Sequence, residues 1–145
     1  MLLMTPRLIL LIVFCALLVG CRAIGLGSPD GGERTAGRLA AAEKLMSHIL
    51  RGLEDMDYAE FSKDFTAEMR ESFPEKGFAA FVTDNYRKKY GGVCESRELL
   101  GELNVGELTV LLWKARYKNY KNDVLLRLDV GEADGGVKVF RFLVQ

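Results

Sequence analysis

The 145-residue chain has one histidine, one tryptophan, three cysteines and no excess of charge, with 20 Lys+Arg against 20 Asp+Glu. Each shortage excludes something. A single histidine, His48, cannot build a His-rich metal site, and no CxxC or HxxxH spacing takes its place. The residues therefore imply no metal and no cofactor. The neutral balance leaves no electrostatic footprint for DNA or RNA, whose phosphates need many neutralising cations. Without residues 1–20, which carry Arg7 and no acid, the balance is 19 to 20. Nucleic acid is disfavoured as a partner on that ground. A long apolar run is missing too: the uncharged stretch Leu8–Gly20 has 13 residues, short of the roughly 20 that span a bilayer.

What is present at the N-terminus has the layout of an export signal. Arg7 supplies a short basic region, Leu8–Val19 is apolar without interruption, and Gly20-Cys21 follows. The other reading is an uncleaved anchor helix from Leu2, with Arg7 snorkelling to the headgroups. Pro6 and Arg7 in its first turns count against it. The tetrapeptide Leu18-Val19-Gly20-Cys21 resembles the lipobox of bacterial lipoproteins. The resemblance implies diacylglyceryl transfer to the Cys21 sulfur, cleavage after Gly20, and attachment to the cell membrane by lipid. Thioether formation needs a thiolate nucleophile, hence cysteine. Arg22 rather than an aspartate after Cys21 points to the outer membrane in a Gram-negative host. Cys15 then leaves with the signal, Cys21 carries lipid, and Cys94 has no partner in its own chain.

The expected organisation is a signal peptide at 1–20, the lipidated cysteine with a flexible glycine-rich tether at 21–36, and a single domain at 37–145. Leu39, Ala42, Met46, Ile49 and Leu53 alternate spacings of three and four, so 37–53 is an amphipathic helix. Asp57 and Glu60 are placed as a capping box. Phe61, Phe65, Met69 and Phe73 follow at intervals of four, a helical seam broken by Pro74, and a further helix fits 74–89, ended by Gly91. After Gly92 the period becomes two. Thr109, Leu111, Trp113, Ala115 and Tyr117 share one face, and Val124, Leu126, Leu128 and Val130 share another. With a shorter strand near 97–104, a turn at 131–136 and a last strand at 137–144, four strands are joined by short loops and hence antiparallel. Helices followed by strands make an α+β domain, its N-terminal helices packed on one face of a curved four-stranded antiparallel sheet.

The segments "LEDMDYAEF" (53–61), "FTAEMRESF" (65–73), "NYRKKYGG" (85–92) and "WKARYKNYKNDVLLRLDV…GGVKVFRF" (113–142) resemble the nuclear transport factor 2-like superfamily, and within it small secreted lipoproteins of unknown function. The resemblance implies a cone-shaped α+β fold. Two positions depart from its pattern: Met56 replaces the glycine usual before the Asp-Tyr pair, and Val137 an aromatic common at the start of the last strand.

Candidate pocket residues are Tyr86 and Tyr90, at i and i+4 on the third helix, and Trp113 and Tyr117 on the sheet face; core packing is the competing role for the last two. His48 lies about 130° from the centre of the apolar stripe at about 100° per residue, which reads as a surface histidine. Cys94 reads as a small buried hydrophobe. "YKNYKND" (117–123) mixes lysines with aromatics as single-strand binders do, but reads as a solvated hairpin loop. Some superfamily members are isomerases or dehydratases using an Asp with a tyrosine; Asp84, Tyr86 and Tyr90 are the nearest material here, and no catalytic residue is assigned. The expected function is a non-catalytic, lipid-anchored extracytoplasmic binding or interaction module. It would take a small apolar ligand in a conical cavity, or an envelope protein or second copy on the outer sheet face, where Leu108, Val110, Leu112 and Leu125 need cover. A pocket enzyme and a purely structural envelope lipoprotein are the other two readings.

Overall fold

The three-four spacing on the first helix becomes one wall of the core. In the computed structural model, which describes residues 29–145 with side chains from residue 36, helix α1 spans Pro29–Asp55. Ala42, Met46, Ile49 and Leu53 are almost completely buried, and Leu45 and Leu50 widen the stripe. The proposed signal, Cys21 and the first part of the tether lie outside the described residues. The rest of that tether is helical: α1 begins at Pro29, inside the glycine-rich stretch. Pro29 suits a first helical position, and Asp30 suits the first turn. The compact unit that carries the core begins at Ala36.

Two short helices follow, α2 (Tyr58–Ser62) and α3 (Ala67–Ser72). The capping box is half made. The Asp57 carboxylate accepts the Glu60 N–H at 3.1 Å, while the Asp57 N–H goes to the Gly52 carbonyl at 2.9 Å. Met56 just before it sits at φ 58°, in the left-handed region. That is where the resemblance leads one to expect glycine, and a side chain there costs about 1–2 kcal/mol.

The expected single seam from Phe61 to Phe73 is broken at residues 63–66. There the chain pairs with the last strand: Val139 N–H donates to the Asp64 carbonyl at 2.8 Å and Thr66 N–H to the Val139 carbonyl at 3.0 Å. Thr66 then caps α3, its hydroxyl accepting the Met69 N–H at 3.2 Å. Two hydrogen bonds to an otherwise open strand edge outweigh one continuous helix, yet Phe61 and Phe65 stay buried, and Met69 and Phe73 pack against the same core.

The third expected helix is continuous but not uniform. It runs as α4 (Glu75–Ala80), a π-helical stretch (Phe81–Arg87) and a last α-turn, α5 (Lys88–Tyr90), and Gly91 ends it.

Strands β1 (Cys94–Val105), β2 (Leu108–Tyr117), β3 (Tyr120–Ala133) and β4 (Gly136–Val144) form one open antiparallel sheet in sequence order. The turns are tighter than expected. Only Lys118-Asn119 joins β2 to β3, so Tyr117 and Tyr120 belong to the sheet rather than to a solvated loop. Asp134-Gly135, at φ 52° and 77°, joins β3 to β4 with the twist that a two-residue hairpin favours. Register shifts leave Leu100 on β1 and Phe140 on β4 as extra residues; such bulges bend a sheet.

One sheet face packs on the helices: Leu111, Trp113, Ala115, Tyr117, Leu126 and Leu128 are buried in the core they share with α1. The outer face is less bare than expected. Val110 is buried, and Leu108, Leu112 and Leu125 are half-buried. Leu108 and Phe140 close over Gly131, where any Cβ would lie 2.8 Å from Leu108 Cδ2. Leu112 stands opposite Arg127, and Leu125 opposite Lys114, in the strand register. The exposed large hydrophobics of the sheet are instead Leu100, Leu103 and Val105 on β1 and Leu143 on β4.

Candidate functional site

The π-helical stretch forms one side of a cleft of about 620 Å³, and the end of β4 forms the other. Its volume falls in the range that holds a drug-sized molecule. A π-turn bonds i to i+5, is rare, and recurs at functional sites. Here it places Phe81, and five residues on Tyr86, along the cleft wall. Phe142, Leu143 and Val144 line the opposite side.

The apolar lining is aromatic because α2, α3 and α4 each contribute rings or flank one. Phe73 stands 5.3 Å from Phe61 and 4.9 Å from Phe81 between ring centroids, the second pair edge-to-face at 87°. Such geometry satisfies the ring quadrupoles and holds the wall rigid. Polar groups line the cleft as well: Asp84, Asn85, Lys88 and Lys89, all exposed. Lys89 Nζ lies 4.8 Å from the Tyr90 ring centroid.

Of the four expected pocket residues, Tyr86 and Tyr90 line the cleft, and Trp113 and Tyr117 do not. Trp113 is a core residue, fully buried, its Nε1–H donating to Glu43 Oε1 at 2.6 Å. The second Glu43 oxygen accepts from Arg97 Nη2 at 2.7 Å and Nε at 3.0 Å. Tyr117 stands behind Tyr86, which donates its hydroxyl to Tyr117 Oη at 3.0 Å. Burial pushes the phenol pKa of both above the ordinary tyrosine value, so both stay protonated at physiological pH. Tyr90 packs on the same cluster, 5.9 Å from Tyr86 and 5.5 Å from Tyr117 between centroids. Its hydroxyl is buried and, among the described residues, has no hydrogen-bond acceptor.

His48 is not on the surface. It is 8 % exposed, and its Nδ1 lies 2.5 Å from Asp64 Oδ2. The flank of α1 that carries Leu45, His48 and Gly52 is covered by α2 and the segment after it, a second cover that one helix's periodicity cannot show. Cys94 is half-buried rather than buried, with Sγ 3.6 Å from the Ser96 carbonyl. Burial pushes its thiol pKa up, against the lowering pull of Arg97, so less of it is thiolate than in a free cysteine. An activated nucleophile needs the opposite shift.

Asp84, the carboxylate an isomerase-type site requires, is exposed at the cleft rim. The carboxylate whose field reaches Tyr86 and Tyr117 is Glu54, one of whose oxygens is engaged by the Cys94 N–H at 3.0 Å. Among the described residues no group of three or more His, Cys, Asp or Glu could hold a metal ion, and no helix is long and apolar enough to cross a membrane. The arrangement offers apolar walls, phenolic donors and rim cations, which is the equipment of a binding site. Sequence reasoning did not single out Lys88 and Lys89 as lining residues, because cations in a last helical turn are already accounted for by the helix dipole. Comparison with protein-family models, curated proteins and solved structures finds no match for the chain.

Proposed function

We propose that the protein is a lipid-anchored extracytoplasmic binding module whose cleft takes a small molecule with an apolar body. The cleft carries this reading: about 620 Å³ bounded by aromatic rings on helices and by the end of β4, with a π-helical wall. A purely structural protein would gain from covering the aromatic surface that this cleft leaves open to solvent. The LVGC sequence supports an anchor at Cys21 and an outer-membrane address in a Gram-negative host. Helices leading into one open antiparallel sheet agree with a nuclear transport factor 2-like cone, to which we assign the fold.

Native mass spectrometry of the full chain purified from its own host tests the cleft. The expected spectrum contains a non-covalent adduct of a few hundred daltons that is missing from Asn85→Trp, which fills the mouth from an exposed position. Bare protein mass in every preparation counts against the proposal.

A second reading places a protein partner or a second copy on the sheet. Leu100, Leu103 and Val105, exposed by 56 to 58 % along edge strand β1, favour it. A full chain that stays monomeric at high concentration and captures nothing there removes it.

A further inference from the structure

We infer that the preferred ligand of the cleft is an apolar anion, a molecule with an aromatic or aliphatic body and a terminal carboxylate. The inference rests on the cleft being a binding site, as proposed above, and adds the chemistry of the head group. Tyr86, Tyr90 and Tyr117 carry one hydroxyl proton each, and a single hydrogen bond joins them, between Tyr86 and Tyr117. Tyr86 donates in that bond, so the spare proton of the pair, without an acceptor in the cluster, is on Tyr117 behind the cleft wall rather than on the lining. The Tyr90 hydroxyl has none either, although Tyr90 is only 3 % exposed. Buried donors without acceptors are rare in native proteins, and each calls for an explanation. A carboxylate brings acceptor capacity and no donor.

Charge selects in the same direction. Lys88 and Lys89 line the cleft, and among the described residues neither has a carboxylate partner. Against them stands one lining carboxylate, Asp84. The ammonium of Lys89 sits over the Tyr90 ring, and the neighbouring Tyr90 hydroxyl raises its pKa; an ammonium only donates, so the hydroxyl proton is still left without an acceptor. Phe61, Phe73, Phe81 and Phe142 leave the remaining lining apolar, unsuited to a polyanion such as a nucleotide.

Calorimetric titration of the full chain at pH 7 with 4-phenylbutanoate, 4-phenylbutan-1-ol and 4-phenylbutylamine tests this. The three probes share a body and differ in the head. The acid is expected to bind about tenfold more tightly than the alcohol, the usual advantage of a charge-assisted hydrogen bond over a neutral one, and the amine most weakly. Tyr90→Phe should weaken both the acid and the alcohol, the acid by the larger factor, so that the gap between them narrows. Its melting temperature should hold or rise, because the lost hydroxyl had no acceptor among the described residues. Lys88→Gln with Lys89→Gln, at exposed positions, should weaken the acid by a larger factor than the alcohol. Equal affinity for acid and alcohol, or an acid preference untouched by both variants, overturns the inference while the binding reading stands. Failure of all three probes to bind overturns both.

Discussion

Gly52→Ala is expected to destabilise the protein by about 2 kcal/mol or more, although alanine in a helix is ordinarily favoured over glycine by about 1 kcal/mol. Gly52 lies within α1, where α2 crosses it. A Cβ there would sit 2.4 Å from the Phe61 nitrogen and 2.5 Å from its Cα, both backbone atoms that no rotamer change can move. Relief requires α2 to shift, and α2 carries Phe61, a ring that touches Phe65, Phe73, Phe78 and Phe142 and lines the cleft. At about 4–8 °C per kcal/mol for a domain of this size, the melting temperature should fall by about 10 °C. Gly77→Ala is the internal control. Its Cβ meets nothing within 4 Å on exposed α4, so the same substitution should stabilise by about 0.5–1 kcal/mol. Opposite signs from two helical glycines separate close approach from propensity; a stabilised Gly52→Ala variant would mean that α1 and α2 are not in contact as described.

Cys21→Ser is expected to abolish membrane attachment chemistry altogether. A hydroxyl offers no thiolate at cellular pH, so the thioether cannot form. Each buried methylene contributes about 0.8 kcal/mol, and two acyl chains suffice for stable anchoring. The unsubstituted chain should therefore be found in the membrane fraction with residues 1–20 missing and its mass raised by acyl chains at residue 21. The serine variant should keep its N-terminal segment or lack the acyl mass. A mature chain bearing an unmodified Cys21 would contradict the anchor.

How far these properties were legible differs from element to element. The buried face of α1 and the inward alternation of β2 and β3 follow from local spacing, because one partner surface covers each. His48 escaped the same reasoning because a second surface, the Asp64–Thr66 segment, covers the flank that helical geometry alone leaves to solvent. The Phe61–Phe73 spacing correctly turned four side chains inward but hid the break at 63–66, whose cause is a pairing with Val139 far along the chain. The helical spacing of Tyr86 and Tyr90 put them on one face, and both line the cleft. Trp113 and Tyr117 were placed on the right sheet face, but their burial depends on Glu43 and Tyr86, distant in sequence. The π-turn left no mark, since Phe78, Phe81 and Val82 fit an α-helical pattern equally well.

The central claim, that the cleft between the π-helical wall and β4 is a binding site, is tested most directly by following individual resonances of the full chain while an apolar ligand such as 4-phenylbutan-1-ol is added. Saturable shifts are expected at Phe81, Tyr86, Tyr90 and Val144, with little change at Trp113 and His48, and loss of the shifts in Asn85→Trp. Shifts centred on the exposed β1 residues Leu100, Leu103 and Val105, or none that saturate, would contradict it.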